Sequence, residues 1–128
     1  MARCLLYANE VLLGWADLVP TDPSMGGVSG AFHPTENYRA IQATIWNAVA
    51  HSDYGKYHTP AGVAAYAAKD ALGLRVCTET KEPLEQVGPI WLDDFTDQLL
   101  TSEIVLDVVG VPWWVLERVF GWNSSDGI

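Results

Sequence analysis

Apolar positions fall into short strand-like runs at both ends of the chain and into helical spacing in its middle. Residues 3 to 8 and 11 to 18 are two apolar runs separated by Asn9 and Glu10. Asn tolerates the left-handed backbone that a tight turn needs, so the pair predicts an opening β-hairpin. Pro20, Asp22, Pro23, Gly26 and Gly27 then crowd one segment, where fixed φ angles and glycine freedom predict a loop. A third short strand, 28 to 33, stops at Pro34.

Thr35 offers a capping oxygen and Glu36 a first-turn negative charge, after which Tyr38, Ile41, Ile45 and Val49 recur at helical spacing. This predicts an amphipathic helix over 36 to 50. The stretch 51 to 58 has no period and reads as a surface connection. Thr59 as cap, Pro60 at the first helical position and Gly73 past the end bracket a second, Ala-rich helix over 60 to 72.

Residues 74 to 80 and 84 to 95 read as strands, the second split or bulged at Gly88 and Pro89, and 103 to 109 reads as another. Pro112 opens a final helix with Trp113, Leu116 and Phe120 on one face and Gly121 at its end. The order βββ-αα-βββ-α predicts an α+β fold, a mainly antiparallel sheet of about six strands with helices on one face. A length of 128 residues fits a single domain over 1–128.

Composition narrows the class. With 49% hydrophobic and 18% charged residues the chain has too much to bury for disorder. The first apolar run is too short for a signal-peptide core and no stretch approaches a membrane span, which predicts a cytoplasmic protein. Cys4 and Cys77 stand alone, without metal-ligand spacing, and read as two buried free thiols. The formal charge of −9 argues against nucleic acid or anionic lipid as direct partners. Of that charge −7 lies in residues 79 to 107, where eight acids face Lys81 alone.

Strand alternation puts Ile90, Leu92, Ile104, Leu106 and Val108 in the core and Trp91, Asp93, Phe95, Glu103 and Asp107 on the opposite face. If the two strands pair, that face mixes carboxylates with aromatic rings. Such a mixture suits a cationic partner, because Lys and Arg pair with acids and stack on rings. The same charges also serve to keep an exposed sheet face from pairing with other chains.

Catalytic signatures are weak. His51, Ser52 and Asp53 are triad residue types, but neighbours in sequence rarely converge in space. Residues 26 to 30 match neither a nucleophile elbow nor a phosphate loop. Asp93, Asp94 and Asp97 lack the spacing of a calcium loop. His33 reads as a partly buried strand-end histidine bonded to backbone, and the six Trp residues as core and sheet cover. Trp113 and Trp114 are adjacent, so one ring faces away from whatever buries the other. No catalytic residue, metal or cofactor is predicted.

The stretch Gly14-Trp15-Ala16-Asp17-Leu18, then Asp22-Pro23-Ser24-Met25-Gly26, Gly30-Ala31-Phe32-His33-Pro34 and Tyr38, resembles a pattern of small uncharacterised bacterial proteins. In those the middle element reads DPPMG, and here Ser24 replaces the second Pro. Some of them look like immunity proteins of polymorphic toxin systems, acidic α+β domains that bind and block a cognate toxin. The resemblance covers residues 14 to 38 and carries no catalytic residue. It implies a non-catalytic protein that binds and blocks a toxin; the acidic, aromatic segment 79 to 107 adds that the toxin's active site is basic and gives Trp91, Asp93, Phe95, Glu103 and Asp107 as candidate contacts. Two alternatives stay open. One is a small enzyme or ligand-binding domain whose pocket lies between sheet and helices, with His33, Asp22 and Tyr38 near its mouth. The other is an acidic nucleic-acid mimic.

Overall fold

The computed structural model describes residues 1–53, 55–98 and 102–123. β1 (Ala2–Ala8) and β2 (Val11–Asp22) form the opening hairpin, and Asn9 takes the left-handed turn position at φ 52°. β2 runs on through Pro20 to Asp22, where a loop was expected. Pro20 pairs with Val28 of β3 (Gly27–Pro34), and the register shifts between Pro20 and Asp22. A proline has no N–H to give a ladder, and such an irregularity is where a strand tolerates one. The turn between β2 and β3 shrinks to a 3-10 turn over Pro23–Met25, closed by Gly26 at φ 68°.

β4 (Leu74–Thr78), β5 (Ile90–Asp94) and β6 (Ile104–Val108) complete a curled sheet in the order β4-β1-β2-β3-β6-β5, with every pairing antiparallel. The α+β reading of the sequence is correct, and the late strands are shorter than their apolar runs. Residues 82 to 84 leave β5 and lie against β4, with Glu82 O accepting from Thr78 N (2.8 Å) and Leu84 N donating to Val76 O (2.9 Å). Pro83 and Pro89 interrupt the donors on either side, so the expected strand over 84 to 95 breaks into an edge cover and β5.

The helices follow the caps. α1 (Arg39–Ala50) starts later than predicted, because Glu36–Tyr38 form a 3-10 turn. Thr35 makes no cap; its hydroxyl donates to Leu12 O of β2 at 2.9 Å. α2 (Pro60–Asp70) is capped as expected, Thr59 Oγ1 accepting from Gly62 N at 3.1 Å. α3 (Trp113–Phe120) ends at Gly121, φ 66°.

The five core positions expected in β5 and β6 are all buried, and with Leu6, Leu18, Val28 and Phe32 they meet Ile45 and Val49 of α1 and Val115, Leu116 and Phe120 of α3. Trp113 corrects the expected helix face: it is 60% exposed, and Val115 takes the buried place beside Leu116. Cys4 and Cys77 are free and buried. The register sets Cys77 against Leu5, one position out of phase with Cys4, so the two thiols lie on opposite faces of the sheet. Burial pushes the Cys4 thiol up to about 12, out of nucleophile range.

Candidate functional site

β5 and β6 pair in the register that alternation demands. Trp91 lies opposite Asp107 and Asp93 opposite Val105, which places Asp93 and Asp107 as diagonal neighbours on one face. Phe95 and Glu103 are exposed and flank the strand ends. Part of the connection between the strands, 99 to 101, lies outside the described residues. Trp91 and Asp93 are both half-buried: the Trp91 indole N–H donates to Asp93 Oδ1 (2.7 Å), and Tyr66 of α2 leans against the Trp91 ring at 5.6 Å between centroids.

Asp22, absent from the expected face, joins it from the end of β2. Burial raises the Asp107 carboxyl above the ordinary carboxylate range, and the charges of Asp93 and Asp22 raise it further. None of the three carboxylates makes an ion pair among the described residues. Across β1 and β2 the same sheet face behaves oppositely. Arg3 grips Asp17 through two hydrogen bonds of 3.0 and 3.2 Å, which hold the Asp17 carboxyl below its usual value. Arg3 also lies 3.9 Å from the Trp15 ring centroid, and Trp15 stacks on His33 at 4.0 Å. His33 is therefore an exposed, stacked side chain rather than the partly buried, backbone-bonded one expected.

An apolar surface adjoins the acids. Gly110, at φ 81°, donates to Met25 O (3.0 Å) and accepts from Val87 N (3.1 Å), so the turn after β2, the approach to β5 and the lead into α3 meet there. Each contributes an exposed apolar side chain: Met25 at 62%, Val87 at 92%, and Trp113 and Trp114 at 60% and 51%. The two indoles pack edge to face at 5.7 Å. Sequence reasoning expected one outward ring here; both are outward. The junction depends on glycine, since a Cβ on Gly26 would sit 2.4 Å from Val111 O.

Asp94 departs most from its reading as one acid among eight. It is fully buried, and Oδ2 accepts from the Tyr38 hydroxyl (2.7 Å) and Gln42 Nε2 (3.1 Å), while Oδ1 accepts from Thr96 N (3.0 Å) and Oγ1 (2.6 Å). Burial alone would raise this carboxyl, but the hydrogen bonds from Thr96, Tyr38 and Gln42 outweigh it and hold the pKa below the usual value. The node ties α1 to the end of β5.

Other candidate chemistry is dispersed. His51 Nδ1 meets Asn47 O (2.8 Å), the Ser52 hydroxyl donates to Val49 O (2.7 Å), and Asp53 pairs with Lys56 (3.6 Å). Those side chains finish α1 and its connection instead of converging. His33, Asp22 and Tyr38 do not share a mouth either. The cavity beside Tyr38, about 370 Å³, is lined by Pro34, Thr35, Glu36, Arg39 and Gln42. Among the described residues no cluster of three His, Cys, Asp or Glu side chains is arranged to hold a metal ion, and no helix is long and apolar enough to cross a membrane.

Compared with protein-family models, curated proteins and solved structures, the chain matches none.

Proposed function

We propose that this protein is a non-catalytic binding module for a basic protein, and that its role is that of an immunity protein covering a toxin's active site. The observation that carries the reading is the junction at Gly110. Exposed Met25, Val87, Trp113 and Trp114 adjoin a turn and a sheet face whose carboxylates, Asp22, Asp93 and Asp107, make no ion pair among the described residues. Interfaces concentrate Trp and Met at their centres and charge at their rims. Burial first, and then repulsion from Asp93 and Asp22, raises the Asp107 carboxyl, and a Lys or Arg from a partner would relieve the repulsive part.

The test is capture of a partner from extracts of the source cell at low salt, followed by association kinetics on the purified pair. Neutralising Asp93, Glu103 and Asp107 together is expected to slow association about tenfold and flatten its salt dependence. Replacing Trp113 and Trp114 by Ala is expected to speed dissociation. A partner that is not basic, or rates unmoved by both sets of substitutions, overturns the reading.

A further inference from the structure

α2 turns its Gly62, Ala65, Tyr66 and Lys69 side toward the body of the protein, and Lys69 is the only lysine among the buried residues described. It is 7% exposed, yet its ammonium makes no hydrogen bond or ion pair among the described residues. It faces the Trp91 ring, 5.0 Å from Nζ to the centroid. Burying a cation is costly unless a counter-charge or hydrogen bonds replace its water. A cation–π contact supplies a part of that replacement.

Lys69 borders two cavities. One, about 430 Å³, is lined by Ser52, Tyr66, Lys69, Asp70, Pro89 and Trp91. The other, about 180 Å³, shares Lys69, Asp70 and Pro89 and reaches toward Gln86 and Ile90. The larger lies in the size range of small-molecule sites, with aromatic and apolar walls from Tyr66, Trp91 and Pro89, the Lys69 ammonium, and Asp70 and Ser52 as its other polar lining.

We infer that the cavity between α2 and β5 is a binding site for a small monocarboxylate with a flat apolar body, its carboxylate on the Lys69 ammonium and its body against Tyr66, Trp91 and Pro89. The charge selects an anion, and the rings select a planar apolar frame. Asp70, exposed at the same rim, disfavours a second negative charge, so monoanions are preferred over dianions. Burial holds the Lys69 amine below the ordinary lysine range, and the nearby charge of Asp70 works the other way. The site uses none of the carboxylates or exposed indoles assigned to the junction at Gly110, so the two proposals fail separately.

The test titrates benzoate, its neutral counterpart benzamide and the dianion terephthalate into the full chain, followed by heteronuclear NMR. Benzoate is expected to bind in the millimolar range, at least about tenfold tighter than the other two, and to shift the Trp91 indole N–H, Tyr66 and the Lys69 methylenes. Lys69→Met, which keeps the length of the stem, should remove the preference for benzoate over benzamide, and Lys69→Arg should retain it. Equal binding of benzoate and benzamide to the unaltered protein, shifts centred elsewhere, or no saturable shift overturns the inference. Those three outcomes are all read on the unaltered protein, so the test holds even where Lys69→Met fails to fold.

Discussion

The Tyr38 hydroxyl donates to Asp94 Oδ2 at 2.7 Å, joining the start of the helical layer to the last residue of an edge strand 56 positions later. It is the sole side chain-to-side chain bond between wholly buried partners among the described residues. Removing either end leaves the other desolvated. Tyr38→Phe is expected to cost about 2 kcal/mol and Asp94→Ala about 3 kcal/mol in urea unfolding, with a double-mutant cycle returning a coupling rather than a sum.

The same carboxyl predicts an acid dependence. A group held below its usual range binds its proton more readily when unfolded, so it stabilises the fold above the unfolded value of about 4. That contribution fades as pH falls through the lowered folded value. The stability gap between the unaltered protein and Asp94→Asn should be full at pH 7 and shrink in acid. A gap that stays constant would mean that Asp94 is not ionised in the fold.

Asp107 has the opposite sign. Its carboxyl is raised, first by burial and then by Asp93 and Asp22, so its charged form opposes folding at neutral pH and the penalty lifts as pH falls through the raised value. Asp107→Asn should stabilise the isolated protein at pH 7 by up to about 1 kcal/mol, and lose that advantage in acid. Thermal melts at neutral and acid pH read this directly.

Gly26 holds the turn after β2 against the lead into α3. With φ at 68° and a Cβ position 2.4 Å from Val111 O, Gly26→Ala meets both backbone strain and a clash with main chain. The expected loss exceeds about 2 kcal/mol by denaturant unfolding.

Trp113 and Trp114 should separate stability from recognition. Each is more than half exposed, so Ala at either position is expected to change unfolding free energy by less than about 1 kcal/mol. Leu116→Ala, at 1% exposure one turn further on, should cost about 3 kcal/mol. A large loss at both Trp positions would make them structural and remove them from the proposed interface.

What the chain order reveals depends on how local the cause is. Asn9, Thr59, Pro60 and Gly121 act on their own turn, and each does what its residue type predicts. Strict alternation in β5 and β6 carried the register and the face of Asp93 and Asp107, because a shift of one residue would bury charge. The failures are non-local. Thr35 finds Leu12 O in β2, Asp22 reaches the acids of a distant hairpin, and Asp94 turns inward because α1 and the turn before it supply Gln42 and Tyr38 as donors. Alternation does set Asp94 in phase with Ile90 and Leu92 and opposite to Asp93, but nothing within residues 79 to 107 shows the Tyr38 and Gln42 donors that let a carboxylate occupy that inward place. The cavity around Lys69 was equally hidden, since a lysine in an Ala-rich helix ordinarily points to water.

The sheet order places β6 between β3 and β5, although β6 is the last of the six strands to be made. Met25 and Gly26, beside β3, likewise bond to Gly110 and Val111. During synthesis, then, β3 must wait with one open edge while β4 and β5 emerge. Until Ile104 arrives, that edge is open to a strand from another molecule, so a chain cut short before it is a template for aggregation rather than a smaller version of the fold.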